Sequence, residues 1–211
     1  MIKFSEWLAA RFAQPLPGKA AQVKMLPLDG PKRFPIPETT RKSSVLLLLF
    51  PEVGGWSLIL IKRSADGRIH SSQIAFPGGK IEPSDSSVET AALREAYEEI
   101  NLPAETVEIL GRLSPLYIPA SGFEVLPVVA YSPVRPPGLR PSEAEVAEII
   151  IISLPGIIAR KALRTVKSSS RPDRDLRAPG YLIDEEHFLW GASAMMLSEL
   201  EALWLEFLSN G

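Results

Sequence analysis

Two apolar runs separated by a four-residue break set the first limit on this chain: "SVLLLLFP" at 44–51 and "WSLILIKR" at 56–63, with "EVGG" between them. Neither approaches the roughly 20 apolar residues that a membrane-spanning helix needs. Each has the length and the aliphatic content of a strand buried over most of its span. The glycine pair supplies a tight reversal. The stretch therefore predicts a hairpin of two mostly buried strands.

The rest of the chain alternates helices and strands around that hairpin. "FSEWLAARFA" at 4–13 predicts a helix with Phe4, Leu8 and Phe12 on one side, stopped by Pro15 and Pro17. A proline-rich stretch runs on through Pro37 as an irregular arm. "QIAFP" at 73–77 is a short extended piece, and strands are expected at 106–117 and 123–131. "PVRPPGLRP" at 133–141 is a loop, because its prolines cannot share a regular element. "EVAEIIIISLPG" resumes as a strand, "RTVKSSSRPDRDLRAPG" is a polar loop, and "ASAMMLSELEALWLEFL" closes as a helix. The order predicts an α/β (α+β) fold, an α/β/α sandwich on a mixed sheet rather than a doubly wound parallel one. With 211 residues, 45% hydrophobic and 23% charged, one domain over 1–211 is expected, its N-terminal helix and proline-rich arm occupying about 1–42.

Composition removes several classes of function. A net charge of -2 gives no overall positive field to draw the chain to nucleic acid or an anionic membrane. The absence of cysteine excludes disulfides and thiolate zinc sites, and two histidines make a histidine-rich metal site an unpromising one. The N-terminal residues lack the apolar core of a signal peptide, so a cytoplasmic location and no membrane partner are expected.

The strongest chemical signal lies in "FPGGKIEPSDSSVETAALREAYEEI" at 76–100. Ser86 and Glu89 have capping-box spacing, and Asn101 then Pro103 supply a left-handed stop. At about 100° per residue, with Glu95 as zero, Glu98 falls near -60° and Glu99 near +40°, while Ala96, Ile100, Leu93 and Tyr97 fall between about +100° and +200°. A solvated acidic face is one reading. Against it, Glu95 and Glu99 repel at i,i+4, and Glu98 and Glu99 stand where the helix dipole disfavours anions. The other reading is a bound divalent cation, since hard oxygen ligands at one-turn spacing suit magnesium or manganese. Gly78 and Gly79 then read as a tight bend that lets backbone approach a metal or a phosphate.

These residues resemble the Nudix box, G, five residues, E, seven residues, then R-E-U-x-E-E-x-G-U, with U apolar. Arg94, Glu95, Ala96, Glu98, Glu99 and Leu102 match its end. The interval from Gly79 to Arg94 is one residue longer, Asp85 stands at the first glutamate, and Asn101 replaces the last glycine. "LILIKRSADGRIHSSQIAFPGGK" further resembles the coenzyme A pyrophosphatases of that family through Arg63, Ser64, Arg68, His70, Gln73 and Phe76 to Gly79, with Ser72 in place of a glycine.

The resemblance implies a Nudix-type sandwich and hydrolysis of a nucleotide diphosphate linkage with Mg²⁺ or Mn²⁺. It implies Glu95, Glu98 and Glu99 as metal ligands, with a carbonyl of Gly78 or Gly79 completing the shell, and Arg94 as the group that holds a box carboxylate. Arg63, Arg68 and His70 would meet the phosphates of a small nucleotide substrate. Glu145, with Glu148 behind it, is the candidate general base. The basic stretch Arg164, Lys167, Arg171, Arg174 and Arg177 is either a solvated loop or a contact for a 3′-phosphate, and His187 is expected at the surface. Family members are often dimers, so a homodimer is one assembly the resemblance allows. Coenzyme A or its acyl derivatives, another nucleoside diphosphate derivative, and a non-catalytic nucleotide-binding module remain as three readings.

Overall fold

The computed structural model describes residues 3–29, 37, 39–64, 72–167 and 173–210. Helices α1 (Phe4–Arg11) and α2 (Gly18–Gln22) precede strands β1 (Arg41–Glu52), β2 (Gly55–Arg63), β3 (Ile74–Ala75) and β4 (Gly78–Lys80). Helix α3 (Val88–Ile100) leads to β5 (Glu108–Arg112), β6 (Leu116–Ile118), β7 (Phe123–Tyr131) and β8 (Val146–Ser153). The short helix α4 (Leu154–Ile158), strands β9 (Lys161–Lys167), β10 (Asp175–Leu182) and β11 (Phe188–Trp190), and helix α5 (Gly191–Asn210) complete the order.

The hairpin is present, with Leu49 opposite Leu58 and Glu52 opposite Gly55. β7 runs parallel to β1, whereas β8 on β2 and β5 on β7 are antiparallel, so the eight-stranded sheet among the described residues is mixed. Side chains alternate across it. Leu46, Leu48, Phe50, Ile59 and Ile61 face the layer that holds Ala92, Ala96 and Ile100 of α3. Leu47, Leu49, Leu58 and Leu60 face the layer that holds Phe4 and Leu8 of α1 and Leu197, Leu200 and Leu203 of α5. This is the expected α/β/α sandwich. Alanines at 92 and 96 let α3 lie close on the sheet, while Phe4 meets Trp204 edge-on at 4.8 Å on the other side.

Three local expectations are corrected. The polar loop assigned to 164–180 is largely strand: β9 pairs with β10, which pairs with β11, in a separate antiparallel sheet. Its alternation is muted because β9 swings only between exposed and half-buried positions, and the deep anchors are Tyr181 and Leu189. Residues 168–172 lie outside the described ones. The strand ending in "SLPG" stops at Ser153, whose hydroxyl accepts the Gly156 N–H at 3.3 Å and starts α4 with Pro155 in its first turn. The strand expected at 106–117 is divided into β5 and β6.

One buried carboxylate joins the N-terminal arm to the last helix. Glu199 is fully buried in α5 and accepts hydrogen bonds from the Gly18 N–H (3.0 Å), Gln22 Nε2 (2.9 Å) and Ser114 Oγ (2.8 Å). Removing it strands these donors away from water. Glu199→Ala is expected to lower stability by about 2–4 kcal/mol in urea denaturation; a loss below about 1 kcal/mol would show that the arm is held some other way.

Candidate active site

α3 begins one residue later than the capping-box reading placed it. Ser87, not Ser86, is the N-cap, and its Oγ accepts the Thr90 N–H at 3.1 Å. Glu89 is drawn off to Arg112 on β5, which holds its carboxyl down at about 2. The C-terminal stop is as expected. Asn101 is left-handed at φ 55° and ψ 40°, and its N–H donates to the Tyr97 carbonyl at 2.8 Å. The last-turn carbonyls of Glu99 and Ile100 accept from the N–H groups of Ser142 (2.8 Å) and Arg140 (3.1 Å), which ties the proline-rich loop to the helix end.

The acids do not share one solvated face. Tyr97 is exposed at 58%, so the buried arc of α3 is centred on Ala92, Ala96 and Ile100, about 60° to 140° round the helix from Glu95. Glu99, near +40°, borders that arc and is 1% exposed. Glu95 is largely covered and Glu98 is about half exposed, with side-chain exposures of 14% and 53%.

Each carboxylate is held by a different neighbour. Glu99 accepts from the Gly78 N–H at 2.8 Å and from Arg63 Nη1 at 3.0 Å. Burial nonetheless pushes its carboxyl up to about 7, against the opposing pull of Gly78 and Arg63 and with further repulsion from Glu95 and Glu145. Glu95 is also raised, chiefly by burial, with Arg94 opposing and Glu98 and Glu145 adding repulsion. Arg94 forks onto both oxygens of Asp85 at 3.0 Å and reaches Glu95 at 2.9 Å and Glu98 at 3.2 Å. The fork holds the Asp85 carboxyl below its usual range. Asp85 therefore anchors Arg94, and Arg94 orients the box acids.

Gly78 and Gly79 are not a bend. They lie in β4, with Val45 opposite Gly78 and Ser44 opposite Gly79. A methyl group on Gly78 would overlap the Ser44 carbonyl, and one on Gly79 would occupy the place of the Glu95 carboxylate. The bare backbone is what lets β4 pass between β1 and the acids.

Glu145 is exposed in the turn before β8, and its carbonyl accepts the Ser64 N–H at 2.9 Å. Its charge is felt by both Glu95 and Glu99. Glu148 is directed elsewhere, 3.7 Å from His187 Nε2. His187 is not a surface residue. It is 12% exposed, with Nδ1 at 2.7 Å from Asp184 and Nε2 at 3.1 Å from Lys62, a partner 125 positions away that no local pattern reveals. Arg68 and His70 lie outside the described residues, as does Arg171.

The donor set suits a hard divalent cation: carboxylate oxygens on one turn of helix, those of Glu95 and Glu99 raised chiefly by burial, beside backbone that a side chain would block. Among the described residues no three acids converge into a closed metal cage.

The Nudix domain model matches residues 40–168, more than half of the chain. The Nudix hydrolase NudL of Photorhabdus laumondii, itself uncharacterized, is 36% identical over 172 residues, 81% of this chain and 87% of that protein. NudL of Citrobacter koseri is 38% identical over 145 residues, 68% of this chain and 72% of that protein. Among solved structures, the Nudix hydrolase RenU of M. smegmatis superposes with a TM-score of 0.52 at 18% identity, covering 86% of this chain and 94% of that one, a likeness of fold. The chain belongs to the Nudix family. It is a Nudix hydrolase, of a family that generally uses divalent metal ions and binds small nucleotides. Among the described residues no helix is long and apolar enough to cross a membrane.

Two outcomes are expected at this site. Ser72 holds φ 59°, a conformation that glycine adopts freely and serine does not; Ser72→Gly should raise stability by about 0.5–1 kcal/mol in chemical denaturation, and a loss would contradict the strain.

The second concerns pH. Because the folded protein holds the Glu99 proton more tightly than the unfolded chain does, metal-free stability should fall as pH rises from 4.5 to about 7. Glu89 and Asp184, each held at about 2, titrate below that window. A cation takes the ionised acids, so the rise in Tm on adding Mn²⁺ should be larger near pH 8 than near pH 5.5 and should shrink in Glu99→Gln. An Mn²⁺ shift that is equal at both pH values and in the variant would remove these acids as ligands.

Proposed function

We propose that this chain hydrolyses the diphosphate of coenzyme A or acyl-coenzyme A, giving a phosphopantetheine product and adenosine 3′,5′-bisphosphate, with Mg²⁺ or Mn²⁺ as cofactor. The observation that carries this is the wall of the carboxylate cluster. Arg63 and Gly78, the two groups that hold Glu99, belong to the segment 63–79 that resembles the coenzyme A pyrophosphatases. The Ser72 departure is a mild one, because the serine keeps a backbone conformation that the missing glycine would supply. We read 1–211 as one domain built round this site.

The roles follow from the contacts. Glu95 and Glu99 would hold the cation, with Glu98 more exposed at the edge and the backbone of Gly79 beside Glu95. A bound divalent cation supplies positive charge against the phosphoryl oxygens as charge develops there. Arg94 keeps Glu95 and Glu98 from rotating away, and Asp85 keeps Arg94 in place. Arg63 shares the Glu99 carboxylate and stands at the strand end where a diphosphate would arrive. Glu145, exposed and close enough for its charge to act on the same acids, would take the proton from the attacking water.

Glu99→Gln is expected to reduce kcat on coenzyme A by about 100-fold or more in a protein that remains folded by circular dichroism. Glu145→Gln should lower kcat on coenzyme A by about 100-fold while the rise in Tm on adding Mn²⁺ is kept. A panel of coenzyme A, ADP-ribose and a dinucleotide, read by product mass, decides the substrate. Equal hydrolysis of coenzyme A and ADP-ribose would reject the assignment, and full activity in Glu99→Gln would reject the site.

A further inference from the structure

Beside the same strand end lies an open cavity of about 270 Å³ that the carboxylate chemistry does not use. Lys62 and Arg63 are consecutive on β2, so their side chains leave opposite faces of the sheet. Arg63 meets Glu99 on one face and Lys62 meets His187 on the other. The Arg63 N–H donates to the carbonyl of Gln73, a residue that lines the cavity. The two sites thus flank one end of one strand.

The cavity is charged in a particular way. Asp184 at 2.7 Å makes Nδ1 of His187 the proton-bearing nitrogen, which leaves Nε2 to accept from Lys62 Nζ at 3.1 Å. The partner of the Lys62 ammonium is thus a ring nitrogen and not a carboxylate. Glu148, the cross-strand neighbour of Lys62, makes no ion pair with it among the described residues.

Arg164 enters from β9, its guanidinium 5.6 Å over the Phe188 ring and its Nη1 donating to the Glu185 carbonyl at 3.3 Å. Lys167 is paired with Asp175 and Arg174 donates to the Asp29 carbonyl, so of these three cations Arg164 is the one that lines the cavity. The hydroxyl of Thr165 and the ring of Trp190 complete the wall, and the lining acid, Glu186, is solvent-exposed.

Two cations that have no carboxylate partner among the described residues, a hydroxyl and two aromatic rings are the groups that take a phosphate monoester attached to a heteroaromatic base. The geometry points to this cavity as the seat of the phosphate-bearing nucleoside end of the substrate, with Lys62 and Arg164 on the 3′-phosphate. This rests on the coenzyme A reading and adds the surface that reads that phosphate. The volume is near the lower end of small-ligand pockets, about 300 Å³, which suits one arm of the substrate rather than all of it.

Calorimetric titration of the full chain with adenosine 3′,5′-bisphosphate and with AMP tests it, in wild type and in Arg164→Ala and Lys62→Gln. The wild type should prefer the bisphosphate by about tenfold or more, and each variant should bring the two affinities to within about threefold. Trp190→Phe should weaken both ligands alike. Equal wild-type affinities, which need no variant to fold, overturn the subsite, as does an undiminished preference in both folded variants.

Rates on coenzyme A and on its form without the 3′-phosphate separate this from the function itself. Equal hydrolysis of the two overturns the subsite and leaves the pyrophosphatase. Arg164-dependent bisphosphate binding without coenzyme A hydrolysis leaves the subsite and overturns the pyrophosphatase.

Discussion

The burial of the Glu99 carboxylate between the Gly78 N–H and Arg63 is the contact round which the site is arranged. An ionised acid at 1% exposure is costly unless its oxygens are met, and each oxygen here has one donor. The backbone donor exists only because β4 is a strand against β1, and β4 fits only because residue 78 has no side chain. The acidic helix therefore depends on the glycines before it. Arg63 and Arg94 divide the repulsion among the acids, one on Glu99 and the other on Glu95 and Glu98, so the cluster is oriented before any cation arrives.

The sandwich fixes which residues can act together. On β2, Ile59, Ile61 and Arg63 face the α3 layer, whereas Leu58 and Leu60 face the opposite one, with Lys62 following them to His187. A one-residue change of register would exchange Arg63 and Lys62 between the acids and the cavity. The register shift of β2 against β8 falls between these two residues, where the sheet passes from core to site.

What could be read in the sequence was what depends on neighbours. The hairpin, β7 at 123–131 and the C-terminal stop of α3 follow from runs, turns and caps within about ten residues of one another. The misses have distant causes. Glu89 satisfies the local rule for a capping box, but Arg112 takes it 23 positions on. The glycine pair looks like a turn until Ser44 and Val45 pair with it. β9 and β10 are polar enough to pass for loop, with Pro179 inside β10, because much of their surface stays wet. His187 looks solitary because Lys62 reaches it from across the fold. The carboxylate cluster itself was legible because it is compressed into five residues of one helix.

The end of α3 shows how such a cluster is tolerated. A helix that finishes in two acids concentrates negative charge where its own dipole is negative, and unsatisfied carbonyls would add to it. Two of those carbonyls, on Glu99 and Ile100, are met by the N–H groups of Ser142 and Arg140. Asn101, where the family pattern has glycine, holds the left-handed turn and donates through its side chain to the Gly138 carbonyl at 3.0 Å. The loop is thereby anchored to the helix end three times over, and the residue three positions beyond Ser142 is Glu145. The same hydrogen bonds that relieve the helix terminus thus bring the fourth acid to the cluster, so the catalytic arrangement proposed for it needs no separate device to place it.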